Sequence, residues 1–347
     1  ESNRKIICQN YQMKNKIINV GLIGLGRIGK MHAKNISQHL PFLNLKSIVD
    51  PVPDIDFIQR LDGVQACTNT DDVFLDDTIQ AVIICSPTPT HYKLIKKCAQ
   101  YKKHVFCEKP ISFSENEIKE IINIMINEKV LIQVGLNRRF DQEFMLVKNK
   151  VNDGLVGDIQ MIHITNHDAS IPEFKFLKSS GGMLFDLCIH DFDMLSFITG
   201  EKINEIYVNG SVFIEPRLKE INDIDNAIIT LELENGILCT IDSSRQTHYG
   251  YDQRVEVFGS KGMISVENKP DNLYYFSNQE NTKRSKIKYS FIERYKDSYV
   301  TEFEHFYTCI THNNKPIVGP EDILSALKVA TAGEKSIETN QPVMVKK

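Results

Sequence analysis

Apolar residues fall into two different rhythms along this chain. From Ile18 to about Arg138, short unbroken runs of aliphatic residues alternate with segments whose apolar positions recur every three or four residues. An unbroken run suits a strand covered on both faces, and the wider spacing suits an amphipathic helix. The runs are 18–23, 45–49, 81–85, 104–107 and 130–134. Between them, Leu94, Ile95 and Cys98 share one helical face, and Ile118, Ile121, Ile122 and Met125 share another. Ser114 and Glu117 precede that second helix with the spacing of a capping box. Repeated strand–helix alternation predicts a parallel, doubly wound α/β sheet.

After Arg138 the rhythm changes to strict alternation. Segments 158–165, 205–213, 227–234 and 237–243 read as half-buried strands, as do 255–258 and 263–266. Asn235-Gly236 is a strong hairpin signal, and the Gly259 to Gly262 turn joins a second pair. This predicts a C-terminal α+β domain with a large, mostly antiparallel sheet. One face of that sheet is left open and available to a partner subunit. Ile323, Leu327, Ala330 and Ile337 lie on one face of a final helix. The expected division is an extension over 1–16, a dinucleotide domain over 17–138 and a substrate and oligomerisation domain over 139–347.

Composition narrows the picture. At 347 residues the chain is long for one core, which agrees with two domains. A net charge of −4 gives no reason to expect nucleic acid or a membrane surface as partner. No apolar run approaches the roughly 18 residues that a bilayer requires. The eight cysteines are scattered without C-x-x-C pairs, which suits a reducing cytoplasm. Residues 1–16 are polar and carry no apolar signal core, and Met13 is a candidate natural start.

The first run leads into Gly24-Leu25-Gly26-Arg27-Ile28-Gly29. In G-x-G-x-x-G the first glycine permits a tight turn and the second lets the backbone approach a pyrophosphate. The third lets the helix pack against the strand. The phosphates would meet unpaired N–H groups at the start of the helix, near Arg27 and Ile28. Asp50 ends the second run, about 20 residues beyond the glycines, where a carboxylate binds both ribose hydroxyls and repels a 2′-phosphate. NAD is therefore expected rather than NADP. Ser86, Pro87, Thr88 and His91 follow the third run, and Glu108-Lys109-Pro110 follows the fourth. In an open parallel sheet those strand ends face the ligand crevice. Lys109 there could hydrogen-bond a substrate hydroxyl, although a surface lysine beside a glutamate is the plainer reading.

The densest functional stretch is 181–194. Asp186 and His190 are four apart and would share a helical face, so the carboxylate can orient the imidazole. A general base needs that arrangement when an alcohol loses its proton as hydride leaves carbon. A metal site is the alternative, because His163, His167, Asp168, Asp191 and Asp193 are also near. Their spacing matches no standard zinc motif, and no metal is expected.

Gly24 to Gly29, Glu108-Lys-Pro110, Arg138-Arg-Phe-Asp141, Ser180-Gly-Gly182, Ile189-His-Asp-Phe-Asp193 and Tyr249 to Glu256 together resemble the glucose–fructose oxidoreductase/inositol dehydrogenase family. Within it, the chain is most similar to bacterial inositol 2-dehydrogenases, from Ile18 to about Val343. The resemblance implies a Rossmann domain, an open-faced sheet domain and a homotetramer or dimer built through the sheet. It implies Lys109, Asp186 and His190 as catalytic residues and oxidation of a cyclic polyol, myo-inositol, to scyllo-inosose with NAD. Arg138, Arg139, Asp168 and Tyr249 are candidates for holding the other hydroxyls. One departure is Asn166-His167-Asp168, where close relatives resemble Ser-Arg-Asp, and it bears on substrate preference. The alternatives are a dehydrogenase of another sugar or inositol isomer and, in a different class, an NAD-binding regulator without turnover.

Overall fold

The computed structural model of the protein describes residues 16–346 and contains two compact units. The first holds the described residues up to Asn137 together with Asp297–Leu324. Its strands are β1 (Ile18–Ile23), β2 (Leu43–Val49), β3 (Gln65–Cys67), β4 (Ala81–Ile84), β5 (His104–Glu108) and β6 (Ile132–Gly135). They form one parallel sheet in the order β3-β2-β1-β4-β5-β6. Helices α1 (Arg27–His39), α2 (His91–Gln100) and α3 (Glu115–Glu128) are among the crossovers. The order runs outward both ways from β1 and β4. The crevice beyond their carboxyl ends is therefore the ligand position in such a sheet. Burial follows the unbroken runs: Val20, Leu22, Ile83, Ile84 and Phe106 are completely buried.

The chain leaves the first unit after Asn137, one residue before the expected boundary, and the expected division contains no later return. The chain comes back, and the helix Ser298–His312 adds Phe303 and Phe306 to the core containing Ile18, Leu22 and Phe106. The strand β3 escaped the periodicity reading because it is three residues long with two of them exposed. The capping box is half formed. Ser114 Oγ accepts from the Glu117 N–H, but the Glu117 carboxylate takes the Ser112 hydroxyl instead of closing back on Ser114.

The second unit comprises Arg138–Lys296 and Ser325 onward. It contains α4 (Gln142–Asn152), β7 (Ile159–His167), α5 (Ile189–Thr199), β8 (Ile203–Ser211), β9 (Asn226–Leu233), β10 (Leu238–Ser244), β11 (Asp252–Gly259) and β12 (Gly262–Val266). A small hairpin, β13 (Tyr275–Ser277) with β14 (Thr282–Arg284), and a terminal strand β15 (Val343–Met344) follow. The seven-stranded sheet has the order β12-β11-β7-β10-β9-β8-β15. All neighbours are antiparallel except β7 and β10, which run parallel at its centre. The alternation predicted for β9 is present: Ala227, Ile229, Leu231 and Leu233 are buried, and Ile228 between them is 56% exposed. On the open face, Leu238, Met161, Phe258 and Met263 stand at paired positions across four adjacent strands, all exposed.

Candidate active site

In the first unit the glycine loop has the geometry its spacing predicts. Gly24 sits at φ +98°, and a Cβ there would lie 2.5 Å from the Ser86 nitrogen. A Cβ on Gly29 would lie 2.0 Å from the Gly24 carbonyl oxygen. Gly26 faces open space, and it precedes α1 with no side-chain cap and no acidic residue in the first turn. Among the described residues, no side-chain cap and no first-turn acid competes with an anion for the helix N–H groups. Asp50 is oriented from two sides: Oδ2 accepts from the Leu25 N–H at 2.7 Å, and Oδ1 accepts from the Val52 N–H at 2.9 Å. Each oxygen keeps a lone pair for a ribose hydroxyl. The residues fit NAD. Asp50→Ser is expected to narrow the preference for NAD over NADP, read as the ratio of kcat/KM values. Equal use of both cofactors by the unmodified protein would refute the role of Asp50.

The loop after β4 is tied internally. The Ser86 and Thr90 hydroxyls bond at 2.6 Å, and Thr90 Oγ1 donates to the Pro87 carbonyl at 2.8 Å. Ser86 and Thr88 remain partly exposed. His91 is different. It is buried, with Nε2 2.6 Å from the Ser86 carbonyl and Nδ1 2.9 Å from the Pro110 carbonyl. Two carbonyl partners favour the imidazolium, but burial is the larger influence and pulls the pKa below the usual histidine value. His91 thus clasps the loops after β4 and β5 together; its ring is not presented to a cofactor.

Glu108 also turns inward. Its Oε1 lies 2.7 Å from His32 Nε2, and His32 is enclosed by Phe106, Tyr299 and Phe303. Glu302 completes this cluster. It is fully buried, and neither carboxyl oxygen finds a hydrogen-bond partner among the described residues. Burial first, and the Glu108 charge second, push its pKa well above the usual carboxylate value. Such a group is a neutral acid, and binding a metal would first require removing its proton. The sign of its pH effect follows. An unfolded glutamate ionises near pH 4.3 while folded Glu302 keeps its proton, so its unfavourable share of stability grows as pH rises above that value. Glu302→Gln should raise the melting temperature more at pH 8 than at pH 5. A pH-independent difference would contradict this. Lys109 is the first residue beyond β5 and is half-buried.

In the second unit, Asp186 lies in a π-helical turn, Leu184–Cys188, and His190 in the first turn of α5. The expected regular helix is therefore widened at this point. Single π turns are rare and concentrate at functional sites. Both side chains are half-buried. The Asp186 carboxylate takes a hydrogen bond from Arg245, which is buried at the end of β10.

Arg138 and Arg139, expected as substrate contacts, are buried in ion pairs. Arg138 Nη1 lies 2.5 Å from Asp191 Oδ1, and Asp191 Oδ2 also accepts from Asn166 Nδ2 at 2.5 Å. Arg139 grips Asp193 with Nε at 2.9 Å and Nη2 at 2.6 Å. These pairs anchor α5, which places His190, so the arginines act on the site through position. Burial raises the Asp191 carboxyl, against the pull of Arg138 and Asn166. Asp168 begins just past β7, half-buried, with its N–H on the Ser244 carbonyl. Tyr249 is 54% exposed and its hydroxyl donates to Asp252. His167, the departure from the family pattern, lies 2.5 Å from Asp242, which His163 and Thr165 also approach. His167, Asp242 and Tyr249 line one groove of about 630 Å³ with Ile228 and Phe213.

A dinucleotide unit, and an open-sheet unit in which Asp186 and His190 stand four residues apart on consecutive helical turns, are the parts of an NAD-dependent oxidoreductase. Residues 18–136 match the oxidoreductase family described as an NAD-binding Rossmann fold, and residues 148–345 match its C-terminal alpha/beta domain. The chain belongs to this Gfo/Idh/MocA oxidoreductase family, and its cofactor is NAD. It is 40% identical over 332 residues to the uncharacterized oxidoreductase YrbE of Bacillus subtilis, covering 95% of this chain and 97% of that one. It is 36% identical to the myo-inositol 2-dehydrogenase of Thermotoga maritima, covering 93% and 97%. The structure of Lactobacillus casei scyllo-inositol dehydrogenase with NAD(H) and scyllo-inositol superimposes with a TM-score of 0.89 at 29% identity, covering 95% and 99%. Among the described residues no helix is long and apolar enough to cross a membrane.

Sequence reasoning missed Arg245, His32 and Glu302. For Arg245 no local signal exists, because its partners Asp186 and Asp223 come from distant segments. The buried pairs had a signal. Asp191 and Asp193 stand among Ile189, Phe192, Met194 and Leu195 in a mostly buried helix, and buried acids require partners.

Proposed function

We propose that the chain oxidises one secondary hydroxyl of a cyclic polyol to a ketone, with myo-inositol as substrate and scyllo-inosose as product. The observation carrying this reading is Asp186, held by a buried arginine, in the turn leading to His190. NAD, when bound, supplies the acceptor for the hydride that leaves the carbinol carbon. Neutral His190 takes the hydroxyl proton, so that the C–O bond becomes C=O with charge balanced. Asp186 orients the ring and stabilises its positive charge. Lys109 donates a hydrogen bond to the oxygen as negative charge develops on it. Asp168 and Tyr249 hold other hydroxyls, since epimers are told apart by polar groups that the wrong isomer leaves unpaired.

The names of the Thermotoga maritima and Lactobacillus casei relatives support an inositol and also favour scyllo-inositol as a second candidate. The two isomers differ at one carbon. NADH formation measured across inositol isomers and common sugars decides between them. A protein that binds NAD yet stays silent on the whole panel would be a non-catalytic regulator.

The same reading includes a homo-oligomer built on the open sheet face. The exposed row of Leu238, Met161, Phe258 and Met263 is apolar surface that association would cover. A monomer in light scattering at micromolar concentration would count against it.

A further inference from the structure

Arg245 follows the last residue of β10 and is completely buried. Its backbone N–H donates to the Asp225 carbonyl at 2.8 Å, which fixes where the side chain begins. Nη1 donates to Asp186 Oδ2 at 3.2 Å, and Nη2 lies 3.7 Å from Asp223 Oδ2. Nε and Nη2 have no hydrogen-bond partner among the described residues. Arginine keeps its proton in proteins, so this buried charge depends on the two carboxylates for compensation. Asp223 is fixed in turn. Its Oδ1 accepts from the N–H groups of Met183 and Ile224, both at 2.8 Å. Met183 immediately precedes the π-helical turn that carries Asp186. One cation therefore stands between the acid four residues before His190 and the acid that pins the start of that turn.

The other buried arginines of this unit provide a contrast. Arg139 binds Asp193 through Nε and Nη2, and Arg294 binds Asp141 through both terminal nitrogens; both acids are themselves buried. Both are two-nitrogen forks of the kind expected of a structural pair, although Arg294 Nε, like Arg245 Nε, has no partner among the described residues. Arg245 instead gives its one hydrogen bond to a carboxylate that is 18% exposed.

We propose that Arg245 is a positioning residue that holds Asp186 as an anion beside His190 and sets the strength of His190 as a base. This rests on the reading of Asp186 and His190 as the catalytic pair. The guanidinium draws part of the carboxylate's charge away from the imidazole, which keeps the ring from binding its proton too tightly. Other charged or titratable groups around the pair are Asp223 with Glu334 near it, and Asp191, Arg138 and Cys188 on the α5 side.

The test compares R245Q and R245K, alone and combined with D186N, using myo-inositol and NAD. R245Q should lower kcat about tenfold or more while KM and NAD affinity stay within about threefold, because the lost contact acts on the chemical step. R245K keeps the charge and should recover most of the loss. In the D186N background either arginine variant should change kcat by less than about twofold, since the residue it acts through is gone. Should R245Q fail to fold, R245M takes its place in the cycle with D186N. A readout that needs no substrate is the His190 ring titration followed by nitrogen-15 NMR. Loss of the guanidinium, in R245Q or in R245M, should raise the His190 pKa by about half a unit or more. An unchanged His190 titration, or an equal loss of kcat with and without D186N, would overturn the proposal. Full activity of D186N alone would instead overturn the functional reading on which it rests.

Discussion

Replacing His190 with alanine is expected to lower turnover by about 10²–10⁴-fold, the usual span for losing a general base. NAD affinity should hardly change, because Gly24, Gly26, Gly29 and Asp50 belong to the first unit and His190 to the second. The neighbouring substitutions should leave different kinetic signatures. Asp186→Asn removes the charge that steadies the imidazolium and should act mainly on kcat. Lys109→Ala removes a donor that also contacts the hydroxyl before reaction, so KM should rise as kcat falls. A folded, NAD-binding His190→Ala protein with full activity would leave the family assignment intact and remove the mechanism.

The largest loss of stability is expected at Asp191. Asp191→Ala strands the Arg138 guanidinium, 97% buried by its 3% exposure, and takes a partner from Asn166. Breaking a buried pair from one side costs about 3–5 kcal/mol. Removing both charges together, as in Arg138→Met with Asp191→Leu, should cost much less, because neither ion is then left unpaired in a low dielectric. Urea unfolding of the two variants beside the unmodified protein measures this directly. An unchanged midpoint for Asp191→Ala would show that the pair contributes nothing net.

Much of this was readable from the chain, and the reason is range. The glycine loop, Asp50 and the strands of the first unit are local: spacing and apolar runs within a few residues carry them. Alternation likewise predicts the open face of β9, because the two faces of one strand meet such different surroundings. Reading failed where a residue's meaning depends on a distant partner. Arg138 and Arg139 look like ligands for hydroxyls until Asp191 and Asp193 are seen to take them. His91 opens α2 just after a loop expected to face the cofactor, yet two backbone carbonyls occupy its ring. Helical spacing relates Asp186 to His190, but the contacts of the widened turn with Asp223 and Arg245 come from distant segments.

The return of Asp297–Leu324 to the first unit bears on how the protein is made. Phe303 and Phe306 belong to the same core as β1, and Gln133 donates to the Glu302 carbonyl at 2.7 Å. During synthesis from the N-terminus, the dinucleotide unit emerges first but cannot close until almost the whole chain has left the ribosome. The sheet unit is interleaved with it in sequence and waits in turn for its own last segment, Ser325 onward. Cutting the gene after residue 137 would yield a sheet with a bare aromatic face, Phe106 and the His32 ring uncovered. A transplantable NAD module from this protein would have to carry the later helix with it, spliced through a short linker.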